Sequence, residues 1–144
     1  MQIETKFFEQ IEIGEKDIIT FEDGIPGFPD LRKFALLHDN QYLSYFQSVN
    51  NKGVCFVVIP PAAIVENYDI EISDDAVVKL GVEKPDDVAI YAIVNLSEDM
   101  NKITANLKAP LLINVQNNKG VQEILDDSRY DIRHKIMKEA DASC

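Results

Sequence analysis

Residues Thr104–Asn114 read TANLKAPLLIN, and they hold an amide, an ammonium and a proline inside the most hydrophobic part of the C-terminal third. Thr104, Asn106 and Lys108 alternate with Ala105, Leu107 and Ala109, which puts the polar residues on one face of a strand. Pro110 has no N–H to give to a ladder and marks an edge or a corner. Leu111–Asn114 then resumes as a buried run. The stretch therefore reads as a sheet corner, with Asn106 expected to tie a neighbouring backbone group through its amide. A share in a partner surface is the competing reading.

Outward from that corner, short strand-like segments separated by turn signals dominate. Ile3, Thr5, Phe7, Ile11 and Ile13 keep a period of two, as in a half-buried strand. Asp17–Phe21, Phe34–His38 and Tyr42–Ser48 follow. Asn50–Gly53 makes a hairpin turn into Val54–Ile59, which Pro60 and Pro61 end. Asp69–Ile72 alternates again. Ser73 is placed to cap a short helix whose first turn holds Asp74 and Asp75 and which Gly81 ends. Val88–Asn95 reads as a central strand, and Gln116–Gly120 is a turn into Val121–Leu125. In Gly24–Phe28, GIPGF, Pro26 pre-sets φ and Gly27 accepts a positive φ, as a type II turn requires. This pattern predicts a mainly β chain, a small antiparallel β-barrel-like or sandwich domain with one or two short helices. One domain is expected over residues 1–134, with 135–144 as a flexible C-terminal tail.

The 144 residues hold 25 acids against 14 bases, a formal net charge of −11. The acids are concentrated: residues 1–100 are net −12, residues 101–144 net +1, and Glu66–Asp99 alone net −8. Such a surface repels nucleic acid and anionic membranes and speeds encounter with basic proteins. It reads either as a solvated face or as a docking face for a basic partner. The N-terminal stretch lacks a basic segment followed by an apolar one, and no run approaches the ~18–20 apolar residues of a membrane span. A soluble, cytoplasmic protein is expected.

Catalytic chemistry finds little support. His38 and His134 are far apart with no evident shared partner, and Cys55 sits in an apolar run unsuited to an activated thiolate. The carboxylate pairs Asp74-Asp75, Asp86-Asp87 and Asp126-Asp127 lack the spacing of a calcium loop, and neither zinc-type spacing nor a phosphate-binding glycine motif is present. No catalytic residue, metal or cofactor is assigned, and the chain is expected not to be an enzyme.

Taken together, the N-terminal IETKFFEQIEI, DIITFEDGIPGFPDLRKFALL, FQSV with CFVVIPP, YDIEISDDAVVKL, ITANLKAPLLIN and DDSRYDIRH resemble the flagellar assembly factor FliW family, in the family's order and over nearly the whole chain. The resemblance implies a non-enzymatic regulator with two partners. One is flagellin. The other is the translational repressor CsrA, which the factor antagonises when free of flagellin, relieving repression of flagellin mRNA. A chaperone that binds flagellin only is the alternative. Within the family-like acidic stretch, Glu66, Asp69, Glu71, Asp74 and Asp75 are the expected repressor-facing residues. Phe28, Phe46 and Ile113 are candidates for an apolar flagellin groove, each set against a role in the core. Gly24, Pro26, Gly27, Asn106 and Pro110 are expected to be structural.

Overall fold

The computed structural model describes residues 1–25, 27–38 and 43–136. Pro26, Tyr42 and residues 137–144 of the expected tail lie outside the described residues. The strands are β1 (Gln2–Ile3), β2 (Ile11–Glu12), β3 (Ile18–Thr20), β4 (Lys33–His38), β5 (Ser44–Ser48), β6 (Cys55–Ile59), β7 (Val88–Asn95), β8 (Thr104–Asn114), β9 (Lys119–Gln122) and β10 (His134–Lys135). The α-helix among the described residues is α1 (Asp74–Leu80). Strands β3 to β9 form a closed seven-stranded barrel, because β9 pairs with β8 on one side and with β3 on the other. All its pairings are antiparallel except that of β3 with β9, which meet in parallel at Thr20 and Lys119. The barrel is thus the small β-barrel expected from the sequence, antiparallel but for this one parallel pairing. Closure removes the free edges that an open sheet of this size would present.

Two expectations give way. The N-terminal alternation is not one strand but a two-stranded hairpin of β1 and β2. The Thr5 hydroxyl interrupts it, accepting from the Phe8 amide at 2.9 Å and bonding the carbonyls of Phe8 and Glu9. A side chain that bonds nearby backbone offers the chain an alternative to a ladder. Asp69–Ile72 alternates in exposure but belongs to no strand. At the other end, His134 and Lys135 pair with Ala105 and Thr104, and the Ile136 amide reaches the Ile103 carbonyl at 3.2 Å, so sheet pairing continues past residue 134.

The interior holds two main apolar clusters. One gathers Phe21, Phe34 and Phe46 with Ile19, Val58 and Leu111. Phe21 meets both other rings edge-on, at 5.7 and 6.1 Å, the arrangement that ring quadrupoles favour. The second lies around Val57, Leu107, Leu125 and Tyr130, covered in part by Ile64, Tyr68 and Ile70.

The opening stretch is the barrel's corner. Its N-terminal end pairs with β7 up to Asn106 opposite Ile93, and pairing resumes at Leu111 opposite Tyr91. Leu107–Pro110 therefore stand against Ala92 alone, an extended form of β-bulge. Every backbone group in it has a partner. Leu107 donates to the Asp131 carbonyl at 3.0 Å. Lys108 and Ala109 donate to the Asn106 side-chain oxygen at 3.1 and 3.0 Å. Pro110 has nothing to donate. The four carbonyls accept from the Tyr68 hydroxyl, the Leu125 amide, the Gln122 side chain and the Glu123 amide, in that order. Unpaired, these groups would cost about 1–3 kcal/mol each where they are buried.

Helix α1 is fixed at both ends. Ser73 accepts from the Ala76 amide at 3.1 Å and donates to the Glu123 carboxylate, which also accepts the Ser73 amide at 3.1 Å. At the other end Gly81 takes φ +66°, and the side chains of Asn114 and Asn117 both reach the Leu80 carbonyl at 2.9 Å. Ser73→Ala is expected to cost about 1 kcal/mol, in the usual range for losing a helix N-cap. Urea denaturation measures it, and a change below a few tenths of a kcal/mol would contradict the cap's contribution.

Candidate functional site: an acidic groove

Two segments, Asp69–Ser73 and Glu123–Asp127, flank a surface groove of about 610 Å³. They are joined at both ends. The Ser73–Glu123 bonds close one end. At the other, the Tyr130 hydroxyl takes the place of a strand partner, accepting from the Asp69 amide at 2.9 Å and donating to the Asp69 carbonyl at 3.0 Å. Tyr130 is buried and its ring rests against Tyr68, centroids 4.6 Å apart, while Tyr68 bonds the bulge at Leu107. The corner of β8 therefore holds one wall of the groove in place.

Six carboxylates line the groove: Asp69, Glu71, Asp74, Glu123, Asp126 and Asp127. Among the described residues Arg129 is the one cation lining it, and it is committed. Its guanidinium forks onto the Asp127 carboxylate at 3.1 and 2.7 Å and lies over the Tyr130 ring. Those hydrogen bonds hold the Asp127 carboxyl below its usual range, with Lys108 adding to the effect. Among the described residues no cation pairs with Asp69, Glu71, Asp74 or Asp126. Nor do three His, Cys, Asp or Glu side chains among them converge on a point where a metal ion would sit. Ile70, Ile72 and Ile124 supply apolar surface between the charges, and Ile124 is 72% exposed. The groove can attract cations and cover an aliphatic chain.

Of the five acids expected to form the face, Asp69, Glu71 and Asp74 line this groove. Glu66 and Asp75 are exposed outside it, and Asp75 pairs with Lys79 at 3.3 Å, which also holds Asp23 at 3.1 Å. Glu123, Asp126 and Asp127 were missed from the sequence, although EILDD is locally acidic, because the C-terminal third is neutral as a whole.

The apolar candidates divide. Phe46 is 0% and Ile113 2% exposed, so both fill the barrel and offer no side-chain surface to a helical ligand. The cause is strand alternation, which turns Phe46 inward against Phe21 and Tyr91. Phe28 is 39% exposed, its ring edge-on to Phe56 at 5.9 Å. The turn before it has Gly27 at φ +91° and a Phe28 amide to Ile25 carbonyl bond of 2.7 Å. Cys55 is half-buried, and burial pushes its thiol up to about 11, against a smaller opposing pull from Lys6. It stays protonated at neutral pH, which removes it as a nucleophile.

Fold and groove together define a small closed β-barrel whose distinctive surface is a groove lined by carboxylates. A family model described as FliW protein matches residues 2–136, and the chain belongs to the FliW family. It is 44% identical to the flagellar assembly factor FliW of Thermoanaerobacter pseudethanolicus, over 96% of this chain and 95% of that one. It is 39% identical to that of Caldicellulosiruptor bescii, over 94% and 90%. A crystal structure of the flagellar assembly factor FliW matches with a TM-score of 0.91 at 38% identity, covering 96% of this chain and 98% of the other. Among the described residues no helix is long and apolar enough to cross a membrane.

Proposed function

We propose that this chain is a cytoplasmic, non-enzymatic flagellar assembly regulator that binds the translational repressor CsrA through the acidic groove and releases it when flagellin is bound. The observation that carries the reading is the imbalance of the groove, six carboxylates against one guanidinium already held by Asp127. A repressor that binds RNA needs a cationic surface, and opposite charge speeds the encounter. Carboxylates brought beside an RNA-binding surface weaken RNA binding by repulsion over about 8–10 Å at physiological salt. Membership of the FliW family and the name its relatives carry, flagellar assembly factor, support the flagellar setting. Flagellin's amphipathic terminal helices call for an apolar contact. Phe28 is the one of the three apolar candidates with exposed surface to give, and it stands as the proposed contact.

The test is a titration of the protein into a fluorescently labelled repressor–RNA complex, with and without flagellin. RNA is expected to dissociate, and flagellin to restore its binding. The triple variant Asp69→Lys, Glu71→Lys, Asp74→Lys is expected to bind the repressor about tenfold more weakly or worse. Each exposed pair is worth roughly 0.2–1 kcal/mol, and reversal replaces attraction by repulsion. The deficit should be largest at low salt. Equal affinity at low salt overturns the groove assignment. Flagellin binding without any release of RNA makes the chain an export chaperone for flagellin alone.

A further inference from the structure

Beyond β9 the chain stays alongside β8, with Glu123 and Leu125 donating their amides to the Pro110 and Lys108 carbonyls at 3.0 and 2.7 Å. In an antiparallel pair, residues bonded to the neighbour alternate with residues whose N–H and C=O point the other way. Ile124 and Asp126 are the outward pair, and among the described residues no group bonds the backbone of either. Here the closed barrel has an open edge after all. The opposite wall of the groove is similar: the backbone of Ile70–Ile72 bonds no described group. Tyr130 and Glu123 fix the ends of that wall and leave the middle open.

An unpaired edge is a template for another strand, and proteins usually guard it with charge. The guards here are all of one sign. Glu71, Asp74 and Asp126, which no described cation pairs, repel a second copy of the same edge and any acidic segment, and they admit a cationic one. The exposed Ile124 side chain gives such a segment an aliphatic anchor on its way in.

We propose that the Ile124–Asp126 edge takes up an extended segment of a partner protein, rich in Lys and Arg, as an added strand. Its main chain bonds Ile124 and Asp126, and its cations lie along Glu71, Asp74 and Asp126. Backbone pairing then gives affinity and the carboxylates give selectivity. The inference rests on the assignment of the groove to a basic partner and adds the mode of docking.

The probe is a synthetic octapeptide alternating lysine and valine, with two controls: the same peptide N-methylated at alternate amides, and a version with glutamate for lysine. Affinity is read by fluorescence anisotropy and backbone pairing by amide exchange. The lysine peptide is expected to slow exchange at Ile124 and Asp126 by about tenfold or more, and the N-methylated peptide to bind about tenfold more weakly. Ile124→Pro should weaken binding to the same degree without lowering Tm, because β8 does not use the Ile124 amide and proline is tolerated at an edge. If that variant does not fold, the N-methylated peptide on the unaltered protein gives the same answer. Equal binding of the methylated and unmethylated peptides, with no protection at Ile124, overturns strand addition and leaves the charge reading standing. Binding of the lysine peptide that is indifferent to the triple charge reversal, or matched by the glutamate peptide, overturns the charge reading itself.

Discussion

Asn106→Leu is expected to lose about 2–4 kcal/mol of folding stability and to melt roughly 6–16 °C lower. The side-chain oxygen of Asn106 is the acceptor for the amides of Lys108 and Ala109, and leucine leaves both without one. The bulge cannot take them into the regular ladder, because Leu107–Pro110 face Ala92 alone on the neighbouring strand. Asn106→Asp keeps an acceptor of the same shape in the same place and should retain most of the stability. The effect should also reach the groove. The carbonyls of Lys108 and Pro110, at the same corner, hold Leu125 and Glu123, and the Leu107 carbonyl holds Tyr68 beneath Tyr130. Faster amide exchange at Leu125 in the leucine variant would report that coupling. A stability within about 0.5 kcal/mol of the parent protein, within the usual scatter of surface substitutions, would show that Asn106 does not hold the corner.

The second large effect separates two glycines three residues apart. Both have positive φ, +70° at Gly24 and +91° at Gly27, and a side chain at either position carries a conformational cost of about 1 kcal/mol. Their surroundings differ. A Cβ on Gly24 would lie 2.6 Å from the Pro29 carbonyl oxygen and 2.7 Å from its Cα, whereas one on Gly27 would meet no atom of the described residues within 4 Å. Backbone cannot swing aside as a side chain can. Gly24→Ala is therefore expected to cost about 3 kcal/mol or more, adding the roughly 1–3 kcal/mol of overpacking to the conformational term, and Gly27→Ala about 1 kcal/mol. Urea denaturation of both variants decides the matter, and equal losses would show that close approach to Pro29 plays no part.

Much of this molecule could be read from its residues, for reasons that are local. Helix α1 announces itself through Ser73, the acids of its first turn and Gly81, each acting within a few positions. The central strand β7 and the corner in β8 follow from period and from proline. What stayed hidden depends on distant partners. The parallel contact of Thr20 with Lys119 joins segments about a hundred residues apart, and neither carries a mark of the other. Alternation in Asp69–Ile72 matches the alternating exposure of these residues, but it does not say whether a ladder exists, and the segment belongs to no strand. The same limit applies to the groove. Charge density along the chain found the wall that includes Asp69, Glu71 and Asp74. Its opposite wall lies in a region whose charges cancel on average, and only folding brings Glu123 to Ser73, fifty positions away. Phe46 and Ile113 misled because hydrophobicity marks interior and interface residues alike.

That separation of the two walls governs when the groove can form during synthesis. Asp69–Ser73 emerges from the ribosome about midway, but it faces nothing until Glu123–Arg129 has followed. The strand that seals the barrel against Thr20 begins only at Lys119. Domains of this kind fold as units once their sequence is out. A chain that has emerged only as far as Ser73 therefore carries one acidic wall and no groove. Barrel and groove therefore take shape together, once the segment from Lys119 to Arg129 has joined the rest.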